Sequence, residues 1–145
     1  MIYYKNLEVF KVYKDKQKII IEHLVENLSP FFIILFGSTV KGTANKHSDF
    51  DVAFLNNQKI DSYHLFMISQ ELASKLNRDV DLIDLNQAST VFQAQVIYTG
   101  KVIYCSDEQK KAEFELKALK MYTKLNEERL PILKRIDESG SIYEK

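Results

Sequence analysis

Hydrophobic and polar positions follow one another along this chain in two distinct ways, and each predicts a different element. Apolar residues three or four apart predict helices, at about 13–28, 61–77, 89–99 and 107–136. Short apolar or alternating runs predict strands, at 31–36, 49–55, 79–85 and 102–104. Four strands interspersed with helices predict an α/β (α+β) fold.

Local signals set the limits of the predicted helices. Pro30 ends the first helix, and Asp61 or Ser62 caps the second. Gly100 caps the third helix at its C-terminus. Pro131 is expected to kink or interrupt the fourth, because proline lacks the amide hydrogen that the helix interior needs.

Size and composition are those of an ordinary globular protein. With 145 residues, 46% of them hydrophobic and 28% charged, the chain suits one compact domain over 1–145. Its core is expected at about 15–105, followed by the C-terminal helix. No apolar run is long enough to span a membrane, and the first twenty residues lack the apolar segment of a signal peptide. The expected compartment is the cytoplasm.

Charge and cysteine content exclude several kinds of partner and site. Twenty basic residues balance twenty acidic ones, so no overall positive field attracts nucleic acid directly and non-specifically. A nucleic-acid substrate would need a local patch or a partner. Cys105 is the only cysteine, which excludes intrachain disulfides and cysteine-based zinc sites. We expect its side chain to be buried or half-buried.

Two aspartates on the second predicted strand are the first candidates for chemistry. Asp49 and Asp51 project from the same face, with Cα atoms roughly 6 to 7 Å apart. They could simply be the solvent-facing positions of an amphipathic strand. However, the preceding apolar strand ends in Gly37-Ser38, where bare amides and a hydroxyl can meet phosphate oxygens. A pair of aspartates beside such a turn can bridge two divalent metals about 4 Å apart.

A third carboxylate is available on the strand predicted at 79–85. Alternation places Asp79 and Asp81 on one face and Asp84 on the other. Asp81 lies mid-strand between apolar neighbours, where an unpaired buried carboxylate would be costly and metal coordination would explain it. Asp79, at the strand start, is explained as a solvated cap.

Other polar motifs are weaker evidence for a functional site. Gly37 and Gly42 have the spacing of a P-loop, but the lysine and serine or threonine that should follow are absent. His23 and His64 stand alone on helices, and a surface or half-buried structural role is expected for both. His47 could approach a nucleotide, although loop histidines are commonly just exposed.

Together these residues resemble the DNA polymerase beta nucleotidyltransferase superfamily. The signature is Gly37-Ser38, then ten residues, then Asp49-Phe50-Asp51. Further matching segments lie at 38–42, 48–52, 79–85 and 96–104. The last two resemble minimal nucleotidyltransferases, especially the antitoxins paired with HEPN-domain toxins. The resemblance covers about 15–105 and implies a polymerase-beta-type fold, a small mixed β-sheet of about four strands flanked by helices.

The resemblance also implies roles for individual residues. Asp49 and Asp51 would ligate Mg²⁺, and Asp81 would bridge a metal and help to deprotonate the attacking hydroxyl. That hydroxyl would attack the α-phosphate of ATP in line and release pyrophosphate. The implied nucleotide-binding residues are Gly37, Ser38, Lys41 and Ser48. Many relatives carry arginine where this chain has Lys41, which keeps the charge but lacks the bidentate fork.

A catalytic domain without a template-gripping region implies a small acceptor or a protein acceptor. The expected function is that of an antitoxin that transfers AMP to a partner HEPN ribonuclease toxin, on a tyrosine hydroxyl, in a hetero-oligomeric complex. The alternatives are nucleotide transfer to a small molecule such as an aminoglycoside, and neutralisation of the toxin by binding alone. The sequence does not name the acceptor residue, the nucleotide preference, the number of AMP units or the stoichiometry.

Overall fold

The computed structural model describes residues 2–37 and 49–139, with side chains described over 14–37 and 49–128. Within those residues the chain forms four helices and four strands, in the predicted order. The elements are α1 (Ile2–Leu28), β1 (Phe32–Phe36), β2 (Phe50–Leu55), α2 (Ser62–Leu76), β3 (Val80–Asp84), α3 (Thr90–Thr99), β4 (Lys101–Cys105) and α4 (Glu108–Ser139).

The four strands form one sheet in the order β3-β2-β1-β4. β1 lies antiparallel to both β2 and β4, whereas β2 lies parallel to β3. The predicted mixed sheet of about four strands is therefore confirmed. β3 forms one edge of the sheet, with β2 between it and β1.

Each face of the sheet is covered by a pair of helices. On one face Leu24 of α1 and Leu72 of α2 pack with Phe54 in one apolar cluster. On the other, Val96 of α3 packs with Phe32 of β1, and the ring of Phe114 of α4 packs against the same phenylalanine at a tilt, with centroids 5.6 Å apart. Burial on both faces explains why β1 is a continuous apolar run.

Two helices extend further than the apolar pattern predicted. α1 begins at Ile2, not near residue 13, because no glycine or proline stands between 2 and 28 to end it. Pro131 was predicted to kink or interrupt the last helix. α4 continues through Pro131 to Ser139, so the helix is not interrupted there. The fixed φ of proline is compatible with a helix.

The predicted caps of α2 and α3 are both found, but the glycine after α3 is required for a different reason than predicted. Asp61 caps α2, and its Oδ1 accepts a hydrogen bond from the amide of His64 at 2.9 Å. Gly100 follows α3 with φ −85°, an ordinary backbone conformation. A Cβ at residue 100 would overlap the side chain of Ile34 and the carbonyl of Val96. Glycine is needed there for close packing, not for a left-handed turn.

His23 is buried, so the prediction of a surface or half-buried position was wrong. Only 2% of the residue is exposed, because α2 packs directly over this part of α1. Its Nε2 donates to the carbonyl of Ile68 at 3.1 Å, and its Nδ1 accepts from Nζ of Lys75 at 2.9 Å. The histidine thus links the two helices, which is a structural role. Among the described helices, none is both long and apolar enough to cross a membrane.

Candidate active site

The candidate site lies at one end of β1 and β2, where Gly37 meets Asp51. Gly37 directly follows β1 and has φ +76°, a left-handed conformation that favours glycine. In the antiparallel register Asp51 is opposite Phe36, one residue before this turn. A Cβ at residue 37 would overlap Oδ2 of Asp51. The backbone of the turn therefore lies directly against the aspartate carboxylate.

Asp51 also lies directly beside Asp81 on the neighbouring strand. The two residues are register partners in the parallel pair formed by β2 and β3. Partners on adjacent strands are about 4.8 Å apart and project from the same face. Asp49 is exposed, one residue before the start of β2, and strand alternation places it on the side of Asp51. The fold thus brings all three predicted carboxylates to the same end of the same face.

The charges of the neighbouring carboxylates act on Asp51. Its pKa is raised above the ordinary value of 3.8, first by partial burial and then by the negative charges of Asp81 and Asp49. Asp51 is the only residue of β2 that is not buried, and all the other residues of this strand are apolar. A cation at this position would compensate the clustered negative charge.

The three carboxylates fit a metal that the substrate helps to bind. Among the described side chains, no three acidic, histidine or cysteine groups form a ready-made metal site. Mg²⁺ usually binds through one or two carboxylates together with substrate phosphates and water, not in an all-protein cage. The adjacent pair Asp51 and Asp81, with Asp49 nearby, supplies such a donor set.

The surroundings of Asp81 differ from those predicted. Its side chain is exposed, and β3 is an edge strand of the described sheet. The carboxylate of Asp81 is therefore solvated and not costly at this position, contrary to the prediction. The predicted alternation is correct, since Asp84 lies on the opposite face and only 3% of it is exposed.

Asp84 is a structural residue that the sequence pattern did not single out. Its Oδ2 accepts from the amide of Ile60 at 2.8 Å and from Nε2 of Gln87 at 3.0 Å, and its Oδ1 accepts from the amide of Asn86 at 3.0 Å. One buried carboxylate thus holds the segment before α2 and the segment after β3. The sequence Asp84-Leu85-Asn86 at the end of the strand was the available signal, since aspartate often accepts a hydrogen bond from the amide two residues on.

Three of the predicted nucleotide-binding residues, Ser38, Lys41 and Ser48, lie outside the described residues, as does His47. Gly37 is the described member of that set. Its bare backbone and its place at the end of an apolar strand agree with the geometry expected of a phosphate-binding turn.

A cavity of about 690 Å³ runs along β3, beside Asp81. Its floor is the strand itself, from Val80 to Asp84. One wall is α2, with Leu65 and Phe66, and the other is the start of α3, with Phe92. The volume lies within the range of pockets that hold small ligands or side chains.

Comparison with known proteins agrees with this geometry. Residues 18–109 match the family model described as Polymerase beta, Nucleotidyltransferase. The chain is 39% identical over 115 residues to the protein adenylyltransferase MntA of Shewanella oneidensis, a match that covers 79% of this chain and 82% of that protein.

Solved structures of antitoxin complexes show the same fold. One is a toxin–antitoxin structure with AMP-PNP, with a TM-score of 0.75 and 37% identity over 83% of this chain and 97% of that chain. Another is a tri-AMPylated Shewanella oneidensis HEPN toxin in complex with an MNT antitoxin, with a TM-score of 0.71 and 34% identity over 86% of this chain and 98% of that chain. This chain belongs to the polymerase beta nucleotidyltransferase family.

Proposed function

We propose that this protein is an antitoxin that transfers AMP from ATP to a tyrosine hydroxyl of a partner HEPN ribonuclease toxin and thereby neutralises it. The carrying observation is the register pair of Asp51 and Asp81 beside the bare turn at Gly37. The similarity to an MntA adenylyltransferase and to toxin–antitoxin structures, one with AMP-PNP and one with an AMPylated toxin, supports the same reaction. With ATP as the donor, the proposed compartment is the cytoplasm.

Each candidate residue has a distinct proposed role. Asp49 and Asp51 hold Mg²⁺, with Asp81 as the third carboxylate. Bound there, the metal would neutralise the charge of the triphosphate and of the transition state. The amide of Gly37 contacts a phosphate oxygen. Ser38, Lys41 and Ser48 remain proposed nucleotide-binding residues on the basis of the family pattern.

The proposed reaction is an in-line displacement at the α-phosphorus. The acceptor oxygen forms a new bond to that phosphorus, while the bond to the bridging oxygen of the β-phosphate breaks and pyrophosphate leaves. The acceptor proton passes to the carboxylate of Asp81, which is exposed and therefore reachable. Catalysis comes mainly from the positioning of the two reactants and from charge neutralisation.

Adenylylation would silence a ribonuclease through charge and bulk. Each AMP group adds a negative phosphate to the toxin surface. Placed beside the ribonuclease active site, that phosphate repels the backbone of RNA, and the nucleoside occupies the space that RNA needs. The overall charge balance of this chain fits a protein acceptor, since it has no excess positive charge to recruit RNA itself.

Intact mass spectrometry of the partner HEPN toxin, sought as the product of a gene next to the one that encodes this protein, tests the function directly. That toxin is incubated with this protein, ATP and Mg²⁺, and in parallel with the Asp49→Asn, Asp51→Asn double variant. We expect a mass increase by whole AMP units that the double variant abolishes. Asp79→Asn is the matched control, because Asp79 is an exposed acidic residue on the same face and has no proposed role.

The same experiment separates catalysis from neutralisation by binding alone. If the wild-type protein neutralises the toxin with no mass change, and the double variant neutralises it equally well, the adenylylation proposal is wrong. A mass change that appears only on an added aminoglycoside would instead support a small-molecule acceptor.

A further inference from the structure

Within the described residues β3 is an edge strand, and backbone groups at its centre have no partner there. Two hydrogen bonds fix the pattern: the amide of Phe50 donates to the carbonyl of Asp79 at 2.9 Å, and the amide of Leu85 donates to the carbonyl of Phe54 at 3.0 Å. In a parallel ladder, alternate residues bond to the same neighbour. Asp81 and Ile83 therefore bond to β2, and Leu82 directs its amide and carbonyl away from the sheet.

At the two ends of this edge, the outward backbone carbonyls already have hydrogen-bond partners. The carbonyl of Val80 accepts from Oγ of Ser69 at 3.0 Å, and the carbonyl of Asp84 accepts from the amide of Gln87 at 3.0 Å. The outward carbonyl of Leu82 and the outward amides of Val80 and Leu82 have no partner among the described residues. Leu82 lines the cavity of about 690 Å³ between α2 and the start of α3, which also includes Asp81. An edge of this kind is a template for an added strand.

The order of the strands indicates which reactant lies at this edge of the sheet. Gly37 follows β1, Asp51 lies on β2 and Asp81 lies on β3, so the three occur in sequence across the sheet. In phosphoryl transfer the attacking and leaving oxygens lie roughly in line, on opposite sides of the phosphorus. With the pyrophosphate leaving on the side of the β1 turn, in-line attack would place the acceptor on the side of β3.

The charge of the cavity limits what can bind there. Among the described residues that line it, the charged ones are Asp81 and Asp84, and no lysine or arginine occurs. Asp84 already accepts three hydrogen bonds. A polyanion such as RNA would find no compensating charge. Neutral hydrogen-bonding groups and apolar walls remain: Ser62, Ser69, Gln70, Leu65, Phe66 and Phe92.

We propose that the acceptor polypeptide binds this edge as an added strand. An extended segment pairs with the amide and carbonyl of Leu82, its side chains contact Phe66 on α2, and its hydroxyl lies beside Asp81. This inference rests on the proposed transfer to a protein and adds the surface that selects the acceptor. It also implies that the modified residue lies in an extended segment when it reacts.

Steady-state kinetics with the partner toxin tests whether the acceptor contacts the α2 wall of the cavity along β3, which we call the groove. Phe66→Ala removes an aromatic side chain that is 58% exposed in the groove. We expect the KM for the toxin to rise about tenfold, the loss typical of an interface anchor, with the KM for ATP unchanged. Leu116→Ala is the matched control, because Leu116 is 72% exposed on α4, outside the groove. It should leave both KM values unchanged.

Backbone pairing is tested by hydrogen exchange and by Val80→Pro. Complex formation with the toxin should slow exchange of the Leu82 amide, whereas AMP-PNP alone should not. Val80 is the first residue of an edge strand and its amide faces outward, so proline should be tolerated in the fold and should raise the KM for the toxin. Phe66→Ala decides the matter if the proline variant does not fold.

The outcomes separate this inference from the function on which it rests. If the wild-type protein adds no AMP to the toxin, the proposed function fails first. If AMP is added, but Phe66→Ala leaves the KM for the toxin unchanged and Leu82 gains no protection, the groove is not the acceptor site. A rise in the KM for ATP equal to that for the toxin would also overturn the inference, because it would assign the groove to the nucleotide.

Discussion

The backbone of Gly37 lies so close to the carboxylate of Asp51 that no Cβ fits between them. Gly37 also has φ +76°, which other residues rarely adopt. The turn after β1 and the central aspartate of β2 are therefore fitted to each other. A phosphate held by this turn would lie against the carboxylate that is proposed to hold its metal.

Gly37→Ala should reduce both stability and activity. The left-handed backbone alone costs an L-residue about 1–2 kcal/mol in the free energy of unfolding, and the new methyl group displaces Asp51. We expect AMP transfer to the toxin to fall about 100-fold, since small misplacements of reacting groups have effects of that size. Urea unfolding and the rate of AMP transfer are the two measurements.

Asn77→Ala is the matched control for backbone strain. Asn77 also has a left-handed backbone, with φ 53°, at the C-terminus of α2, and it is not among the proposed site residues. It should lose stability and keep its rate of AMP transfer. Equal rates for the Gly37→Ala variant and the wild type would contradict the close fit between Gly37 and Asp51.

Asp51→Asn should stabilise the protein while abolishing its activity. The pKa of Asp51 is raised by burial and by the charges of Asp81 and Asp49. The contribution of this group to stability is complete below its ordinary pKa of 3.8 and is lost as the pH rises through the raised folded-state pKa. At neutral pH the ionised carboxylate is therefore unfavourable, and asparagine removes that penalty.

Thermal unfolding across pH checks this prediction. The variant should have the higher Tm at pH 7, and its advantage should vanish in acid. Mg²⁺ with AMP-PNP should raise the Tm of the wild type more than that of the variant, and AMP transfer should fall at least about 100-fold. A lower Tm for Asp51→Asn than for wild type at pH 7 would count against the electrostatic argument.

Asp84→Ala should destabilise the protein more than any change at an exposed aspartate. Three donors, on Ile60, Asn86 and Gln87, lose their acceptor. Leaving buried donors unpaired costs about 1–3 kcal/mol each at most, and partial exposure reduces the sum, so we expect about 2–4 kcal/mol from urea unfolding. Asp79→Ala should cost less than about 0.5 kcal/mol. Similar losses in the two variants would show that Asp84 does not hold these segments together.

His23→Ala tests the structural role of the buried histidine. The change leaves a cavity between α1 and α2 and frees the carbonyl of Ile68 and the amine of Lys75. We expect a loss of about 2–4 kcal/mol in the free energy of unfolding, with the rate of AMP transfer per folded molecule unchanged. His64→Ala, at an exposed position of α2, should change neither quantity. Loss of transfer by folded His23→Ala protein would contradict a purely structural role.

The order and type of the elements could be predicted because each has a clear local pattern. The continuous apolar run of β1 and the spaced leucines of α2 follow directly from where their side chains must lie. The ends of α1 and α4 could not be predicted as well. Exposed helical residues need no apolar spacing, and only glycine, proline or a cap would have marked an earlier end.

The candidate site could be predicted in its residues but not in its surroundings. Alternation along the strand placed Asp81 and Asp84 on opposite faces, as found. Which strand positions are covered depends on strand order and on how the helices pack, and the sequence does not state that β3 is an edge strand of the described sheet. Asp81 is exposed for that reason, and Asp84 is buried by segments that are distant in the chain.

The sequence by itself determined the secondary structure, the Gly37 turn and the family signature, because these depend on spacing within a few residues. Tertiary structure decided that Asp51 and Asp81, thirty positions apart, are register partners. It also decided that Gly37 must be glycine because of Asp51, and that β3 lies at the edge of the described sheet beside the site. Pairing between strands and burial by distant helices are non-local, so no pattern along the chain contains them.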